Sequence, residues 1–234
     1  MDKLNVYNYT YDYNTLLNLS QTFIDIVRNS GGKNKGRLLL VASPNKEFKL
    51  AFYSDYKIPE DPNNYFAISI NYYIPTDYTK SKDYSYSFFL DNGLEYTYIS
   101  LKKWYTDIDY YEIITNFEKK KSNFVDKGIG VIITEVGVYT EENKEIKSFR
   151  EYLYSLFAIA SDYDGIMACL WDTSSKDVGN MNYYNREKNE WYDKKIGENI
   201  KKISKKNYVN PSKYIITTNY LKYENIINIR NWYF

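Results

Sequence analysis

The sequence predicts an α/β fold of parallel strands joined by helices, and three observations carry that reading. Four short, mostly apolar runs, residues 37–42, 66–73, 129–134 and 165–171, read as buried strands, and the third is a run of β-branched residues with no polar alternation, the pattern of a strand buried on both faces. Between the runs, apolar residues recur at three- and four-residue steps, the helical period. Glycines stand where helices have to stop, at Gly31-Gly32 and at Gly128. Helices alternating with strands imply right-handed crossovers and a parallel sheet.

The elements follow in order. Residues 1–13 form a Tyr- and Asn-rich lead-in without a period. A helix begins near Asn14, with Leu16, Leu19, Phe23 and Ile26/Val27 along its apolar side. The run from Arg37 to Ala42 is a short buried strand. Ser43-Pro44-Asn45 then turns the chain into a short helix over residues 46–54, and Pro59 and Pro62 mark a loop. Residues 66–73 are the second strand, and Asn71 and Tyr73 at its end share one side because strand side chains alternate. Residues 75–105 form a long aromatic loop with hairpin character around Asp91-Asn92-Gly93, and loops of that length are more often functional than structural. Residues 109–127 read as a helix through Tyr110, Ile113/Ile114, Phe117 and Phe124. Thr140-Glu141-Glu142 caps the next helix, which runs through Ile146, Phe149, Leu153, Leu156/Phe157 and Ala160. The fourth strand, residues 165–171, ends on Trp171-Asp172. A basic helix over 191–205 shows Ile196, Ile200 and Ile203. The tail, residues 206–234, has apolar patches at Ile215-Ile216 and Ile226-Ile227.

Composition narrows the chemistry. The chain has 234 residues and a net charge of +1, enough for one domain and too balanced for binding nucleic acid through bulk charge. Its single cysteine, Cys169, excludes an internal disulfide. No run is long enough to span a membrane, and the N-terminus carries no apolar segment of signal-peptide length. The 29 tyrosines reflect Asn/Lys/Ile/Tyr compositional bias more than function. Histidine is absent altogether, which removes Ser-His-Asp, Cys-His and His-metal schemes. Catalysis would rest on carboxylates, Tyr, Lys or backbone; no cofactor and no metal is expected.

The third strand, in Gly130-Val131-Ile132-Ile133-Thr134-Glu135-Val136-Gly137, delivers one carboxylate where the chain turns. Barrels of alternating strands and helices present catalytic groups at such strand ends. A strand that merely finishes on a solvated Glu has the same sequence, and this stretch alone does not separate the two.

The order of motifs resembles the second half of a family 5 glycoside hydrolase, a cellulase-type (β/α)8 TIM barrel. The lead helix with Phe23-Ile24-Asp25-Ile26-Val27-Arg28-Asn29-Ser30-Gly31-Gly32 and the run Arg37-Leu38-Leu39-Leu40-Val41 resemble its fourth helix and fifth strand. Ile70-Asn71-Tyr72-Tyr73 resembles the His-Tyr-Tyr end of its sixth strand. Phe124 to Gly128 running into Ile133-Thr134-Glu135-Val136-Gly137 resembles the seventh strand, and Leu170-Trp171-Asp172 the eighth. Asn185-Arg186 with Trp191-Tyr192 resembles the run into the last helix. The likeness covers residues 14–205 and implies a partial barrel, strands five to eight with their helices. It implies retaining hydrolysis of a β-linked polysaccharide or oligosaccharide, which uses two carboxylates about 5–5.5 Å apart. By resemblance Glu135 is the nucleophile, Tyr73 its hydrogen-bond donor and Trp171 the floor under the sugar. Asn71 and Asp172 would contact substrate. The family's setting is extracellular.

The departures shape the remaining expectations. The family's acid/base Glu sits in an Asn-Glu-Pro motif, and that tripeptide does not occur in the sequence. The strand-six His is Asn71, which hydrogen-bonds but carries no proton. Half a barrel exposes two sheet edges. Three explanations are ranked in order: a fragment of a larger enzyme, a degenerate copy, or a half-barrel completed by a partner chain or by its own tail. The functional expectation is a β-glycan hydrolase, with a non-catalytic protein binding sugar through Trp171 and the loop of Phe88, Phe89 and Trp104 as the alternative.

Overall fold

The computed structural model describes residues 12–80, 86–88, 97–99, 107–140, 146–174 and 180–206. The chain forms helix α1 (Tyr13–Asn29), strand β1 (Leu39–Glu47), strand β2 (Phe66–Tyr72), a short helix α2 (Thr76–Thr79) and the paired strands β3 (Tyr86–Phe88) and β4 (Thr97–Ile99). It continues with α3 (Asp107–Asn123), β5 (Gly130–Val136), α4 (Ile146–Asp162), β6 (Ile166–Leu170), the hairpin strands β7 (Tyr184–Asn185) and β8 (Glu190–Trp191), and α5 (Lys194–Ser204). Strands β1, β2, β5 and β6 form one sheet in that order, all parallel. With their helices they make the partial (β/α) barrel that the sequence predicts. Among the described residues no helix is long and apolar enough to cross a membrane.

The helices cover one face of the sheet. Ile68 and Ile70 of β2, Val131 and Ile133 of β5, Phe117 of α3 and Tyr152 and Leu156 of α4 are buried there. The central strand β2 is enclosed on both faces, as expected. The edge strands are not: Leu40 of β1 is 44% exposed and Met167 of β6 is 53% exposed. An edge strand has a neighbour on one side only, so the side chains turned away from the helices meet solvent.

Three details differ from the sequence reading. The core-facing residues of α1 are Ile24 and Arg28, with Leu16 and Val27 packed beside them, whereas Leu19, Phe23 and Ile26 are exposed. Helical period identified the apolar residues but not which of two adjacent stripes meets the sheet. Ser43-Pro44-Asn45 does not end β1, which runs on to Glu47. Proline is tolerated there because β1 is an edge strand. Asn45 and Lys46 adopt left-handed φ values of 52°, the register slips, and Glu47 rejoins opposite Asn71. Only a single turn of 3-10 helix, Leu50–Phe52, remains of the helix expected after it. Hairpin pairing is present as Tyr86 opposite Ile99. The turn at Asp91-Asn92-Gly93, Phe89, Trp104, Glu141-Glu142 and the tail patches lie outside the described residues, and Phe88 is described in its backbone only.

A buried ion pair locks the N-terminal side of the sheet. Arg28 Nε and Nη2 donate to Asp61 Oδ1 and Oδ2 at 2.9 and 2.7 Å. The remaining guanidinium hydrogens reach the carbonyls of Asn34, Arg37 and Tyr65. All five donors of the fork are therefore used, and the loops leading into β1 and β2 are tied to α1. Asp61 also accepts from the backbone N–H groups of Asn63 and Tyr65.

The Arg28 hydrogen bonds hold the Asp61 carboxyl well below the usual carboxylate range, outweighing the opposing effect of burial. A depressed folded-state value means that the unfolded chain takes up the proton first. The pair's stabilisation is complete above about pH 4 and is lost as pH falls below it. Asp61→Asn should lower the melting temperature at pH 7 by on the order of 10 °C, because it leaves a buried guanidinium unpaired. It should also flatten the acid limb of a melting-temperature profile between about pH 4 and pH 2. An unchanged acid limb would mean that other carboxylates govern acid unfolding.

Candidate functional site

The site lies at the C-terminal ends of β2, β5 and β6, and a register slip builds it. Ile70 pairs with Ile133, but Asn71 pairs with Glu135, so Thr134 is skipped. A bulge of this kind re-aims side chains and is common beside active sites. Strict alternation from Val131 and Ile133 would turn Glu135 toward the helices. With Thr134 bulged, Glu135 instead joins Asn71 and Tyr73 on the face that the helices do not cover, and the buried Val136 returns to the helix side. The β5–β6 ladder slips at the same place, between Ile133 and Val136.

Tyr73 donates its hydroxyl to Glu135 Oε2 at 3.1 Å. Burial, then the charge of Glu135 and this hydrogen bond, push the phenol well above its ordinary value. Tyr73 therefore stays protonated, a permanent donor to the carboxylate. Its carbonyl accepts from Thr79 Oγ1 at 2.7 Å, and the Lys80 ammonium sits 3.9 Å from the centre of its ring. Helix α2 thus holds the tyrosine from behind.

Asn71 stands beside Glu135 on the neighbouring strand. Its Oδ1 accepts from Thr134 Oγ1 at 3.1 Å, and Thr134 Oγ1 lies 3.0 Å from Ser69 Oγ. Trp171 follows β6 directly. Its backbone N–H donates to the Val136 carbonyl at 2.8 Å, which brings the ends of β5 and β6 together, and its side chain is 44% exposed. An exposed indole at the sheet end that carries Glu135 offers a flat apolar surface of the kind a sugar ring stacks on.

Asp172 points into its own loop. Its carboxylate accepts from the backbone N–H groups of Tyr183 and Ser174 at 3.0 and 3.3 Å and faces Arg186 Nη2 at 3.4 Å. In this arrangement it organises the chain that follows Trp171. Of the residues that the sequence singles out, Tyr73 is hydrogen-bonded to Glu135, Asn71 pairs opposite Glu135, and Trp171 stands at the same sheet end through its bond to Val136. Sequence reasoning missed Thr134, Ser69 and Lys80. Their roles depend on the bulge and on α2, neither of which leaves a periodic signal.

The turn after Glu135 is tightly packed. Tyr183, buried, donates its hydroxyl to the Val138 carbonyl at 2.8 Å and accepts from the Val138 N–H at 2.6 Å. A Cβ on Gly137 would stand 2.5 Å from Met181 Sδ and 3.0 Å from the Tyr183 hydroxyl. The glycine is needed there for space.

Comparison with known proteins gives a consistent picture. The family model for cellulase, glycosyl hydrolase family 5, matches residues 4–177. Endoglucanase 1 of Ruminococcus albus is 30% identical over 191 residues, 80% of this chain and 41% of that protein. Endoglucanase A of the same organism is 29% identical over 162 residues, 69% of this chain and 40% of that protein. Among solved structures, a broad-specificity endoglucanase from an uncultured bovine rumen ciliate superposes with a TM-score of 0.74 at 43% identity, over 83% of this chain and 55% of that one. A family 5 lichenase from Caldicellulosiruptor sp. F32, solved with cellotetraose, gives 0.66 at 25% identity, over 82% and 49%. The chain spans about 40% of the length of the endoglucanases it matches and about half that of the solved structures.

Gly137→Ala should destabilise the fold by about 1–3 kcal/mol through overpacking, measured by urea denaturation. Equal stability would show that Met181 moves aside and that the glycine does not hold the turn.

Proposed function

The chain belongs to the cellulase family, glycosyl hydrolase family 5, and from that premise we propose that it carries the nucleophile side of a retaining β-glucan hydrolase. The observation that carries the reading is the 3.1 Å hydrogen bond from Tyr73 to Glu135, at the sheet end where Trp171 is open to solvent. A family 5 lichenase solved with cellotetraose and several endoglucanases among its relatives support β-linked glucan as the substrate class. In this reading residues 14–205 are the C-terminal half of the hydrolase barrel, and a polymeric substrate favours a reaction outside the cell.

The proposed chemistry follows from the geometry. One Glu135 oxygen attacks the anomeric carbon as the glycosidic bond breaks, giving a covalent glycosyl-enzyme. Water then attacks the same carbon and restores the carboxylate. Tyr73 fixes the carboxylate's rotation by binding Oε2, which directs the other oxygen at the sugar. Trp171 supports the sugar ring at the cleavage point, and Asn71 offers a hydrogen bond beside it. The leaving oxygen needs a proton in the first step and the attacking water gives one up in the second; in a retaining glycosidase one second carboxylate does both, and no residue of this sequence is assigned that role.

A substrate with a very good leaving group tests the nucleophile alone, because its departure needs no proton. Incubation with dinitrophenyl β-cellobioside should release dinitrophenol in a burst, with a mass increase of one cellobiosyl group on the peptide containing Glu135. Glu135→Ala should lower the rate by at least about a thousandfold. Trp171→Ala should raise KM by about tenfold and leave a measurable burst. Equal release from the Glu135→Ala protein would overturn the assignment.

A further inference from the structure

We infer that the Thr134 hydroxyl is a positioning group for Asn71, turning the amide so that its NH2 rather than its carbonyl faces the cleft beside Glu135. The inference rests on the glycosidase reading for its functional consequence, but the orientation follows from counting protons. Ser69 is buried, and among the described residues Thr134 is the one side-chain partner of its hydroxyl, at 3.0 Å. A buried hydroxyl proton left without an acceptor is costly, so Ser69 donates to Thr134. The single Thr134 proton is then free for one acceptor, Asn71 Oδ1 at 3.1 Å or the Ile70 carbonyl at 3.5 Å. The contact to Asn71 is the shorter by 0.4 Å and close to the normal O–H···O range, whereas the other lies well outside it, so the proton goes to Asn71 Oδ1. With its oxygen engaged on the strand side, the amide turns both N–H groups toward the open face. Among the described residues Nδ2 has no hydrogen-bond partner there.

The consequence is chemical. Next to the carboxylate that acts as nucleophile, Asn71 presents a neutral group that only donates. It recognises an acceptor lone pair, that of a sugar hydroxyl or of the glycosidic oxygen. It does so with no titration of its own. The bulge that aims Glu135 also supplies the residue that orients its neighbour, so one backbone irregularity sets two groups of the site.

Two measurements test this independently. Neutron diffraction of deuterium-exchanged crystals reads the orientation without a ligand. The expected density shows two deuterons on the cleft-side atom of Asn71 and the Thr134 deuteron pointing at its partner. Deuterons on the strand-side atom would overturn the inference whether or not the protein is a glycosidase. Cellotetraose affinity, measured by calorimetry in a Glu135→Gln background, reads the consequence. Thr134→Val should weaken binding about 5- to 10-fold, as for one lost orienting hydrogen bond, in a protein that still folds cooperatively with a melting temperature lowered by a few degrees, because Ser69 loses its acceptor. Thr134→Ser should restore affinity to within about twofold. If Asn71→Ala weakens binding while Thr134→Val does not, Asn71 needs no positioning by Thr134 and the inference fails. If the Glu135→Gln protein does not bind cellotetraose and the wild-type protein gives no burst, the glycosidase reading fails, and the neutron result stands apart from it.

Discussion

The skipped residue between β2 and β5 is the constraint on which the site depends. A strand's period of two assigns each side chain to a face, and in β5 that period would place Glu135 against the helices, where an unpaired carboxylate is strongly disfavoured. Bulging Thr134 shifts the phase by one. Glu135 then meets Tyr73, which the alternation of β2 has already placed on the open face with Asn71. Thr134 does not leave its own hydroxyl orphaned, because Ser69 and Asn71 close a chain of hydrogen bonds around it. The irregularity is therefore satisfied locally, as a buried polar cluster has to be.

Packing behind the strand ends keeps that phase shift from relaxing. The Trp171 N–H bonds the Val136 carbonyl, Tyr183 clamps Val138 through both its N–H and its C=O, and Gly137 lets Met181 and Tyr183 approach the backbone. Asp172 and Arg186 fold the following loop over this cluster. On the other flank, α2 holds Tyr73 through Thr79 and Lys80. Each clamp acts on backbone next to a site residue, so the geometry rests on the scaffold and not on freely rotating side chains.

Two buried cations show different solutions to the same cost. Arg28 uses every donor on Asp61 and on loop carbonyls, at the end of the sheet away from the site. Lys120 of α3 is fully buried with no hydrogen-bond acceptor among the described residues. Its ammonium lies 3.9 Å from the ring centre of Phe48, 4.3 Å from Phe117 and 4.6 Å from Tyr72. Burial pushes its pKa well down, and the ring faces offset part of the lost hydration while it is charged. Tyr72 is the strand neighbour of Asn71 and Tyr73, so this aromatic cage braces the helix-facing side of the strand that carries the site.

Length, composition and the order of apolar runs determined a great deal. The four strands, their parallel order and the helices between them follow from periodicity, because burial against helices demands it. The absence of histidine in the sequence removed histidine-based schemes and left carboxylates, Tyr, Lys or backbone as candidates. Glu135, Tyr73 and Trp171 were legible because each sits at the end of a recognisable strand. What the sequence could not show was phase. Pro44 reads as a turn until the strand is known to lie at an edge, and Leu19, Phe23 and Ile26 read as core until the helix is docked. The direction of Glu135 depends on a slip of one residue that leaves no mark on hydrophobic pattern, because it is decided by pairing with β2, where its partner Asn71 lies 64 residues earlier in the chain. Local sequence determined which groups stand at the sheet end, and long-range pairing decided which way they face.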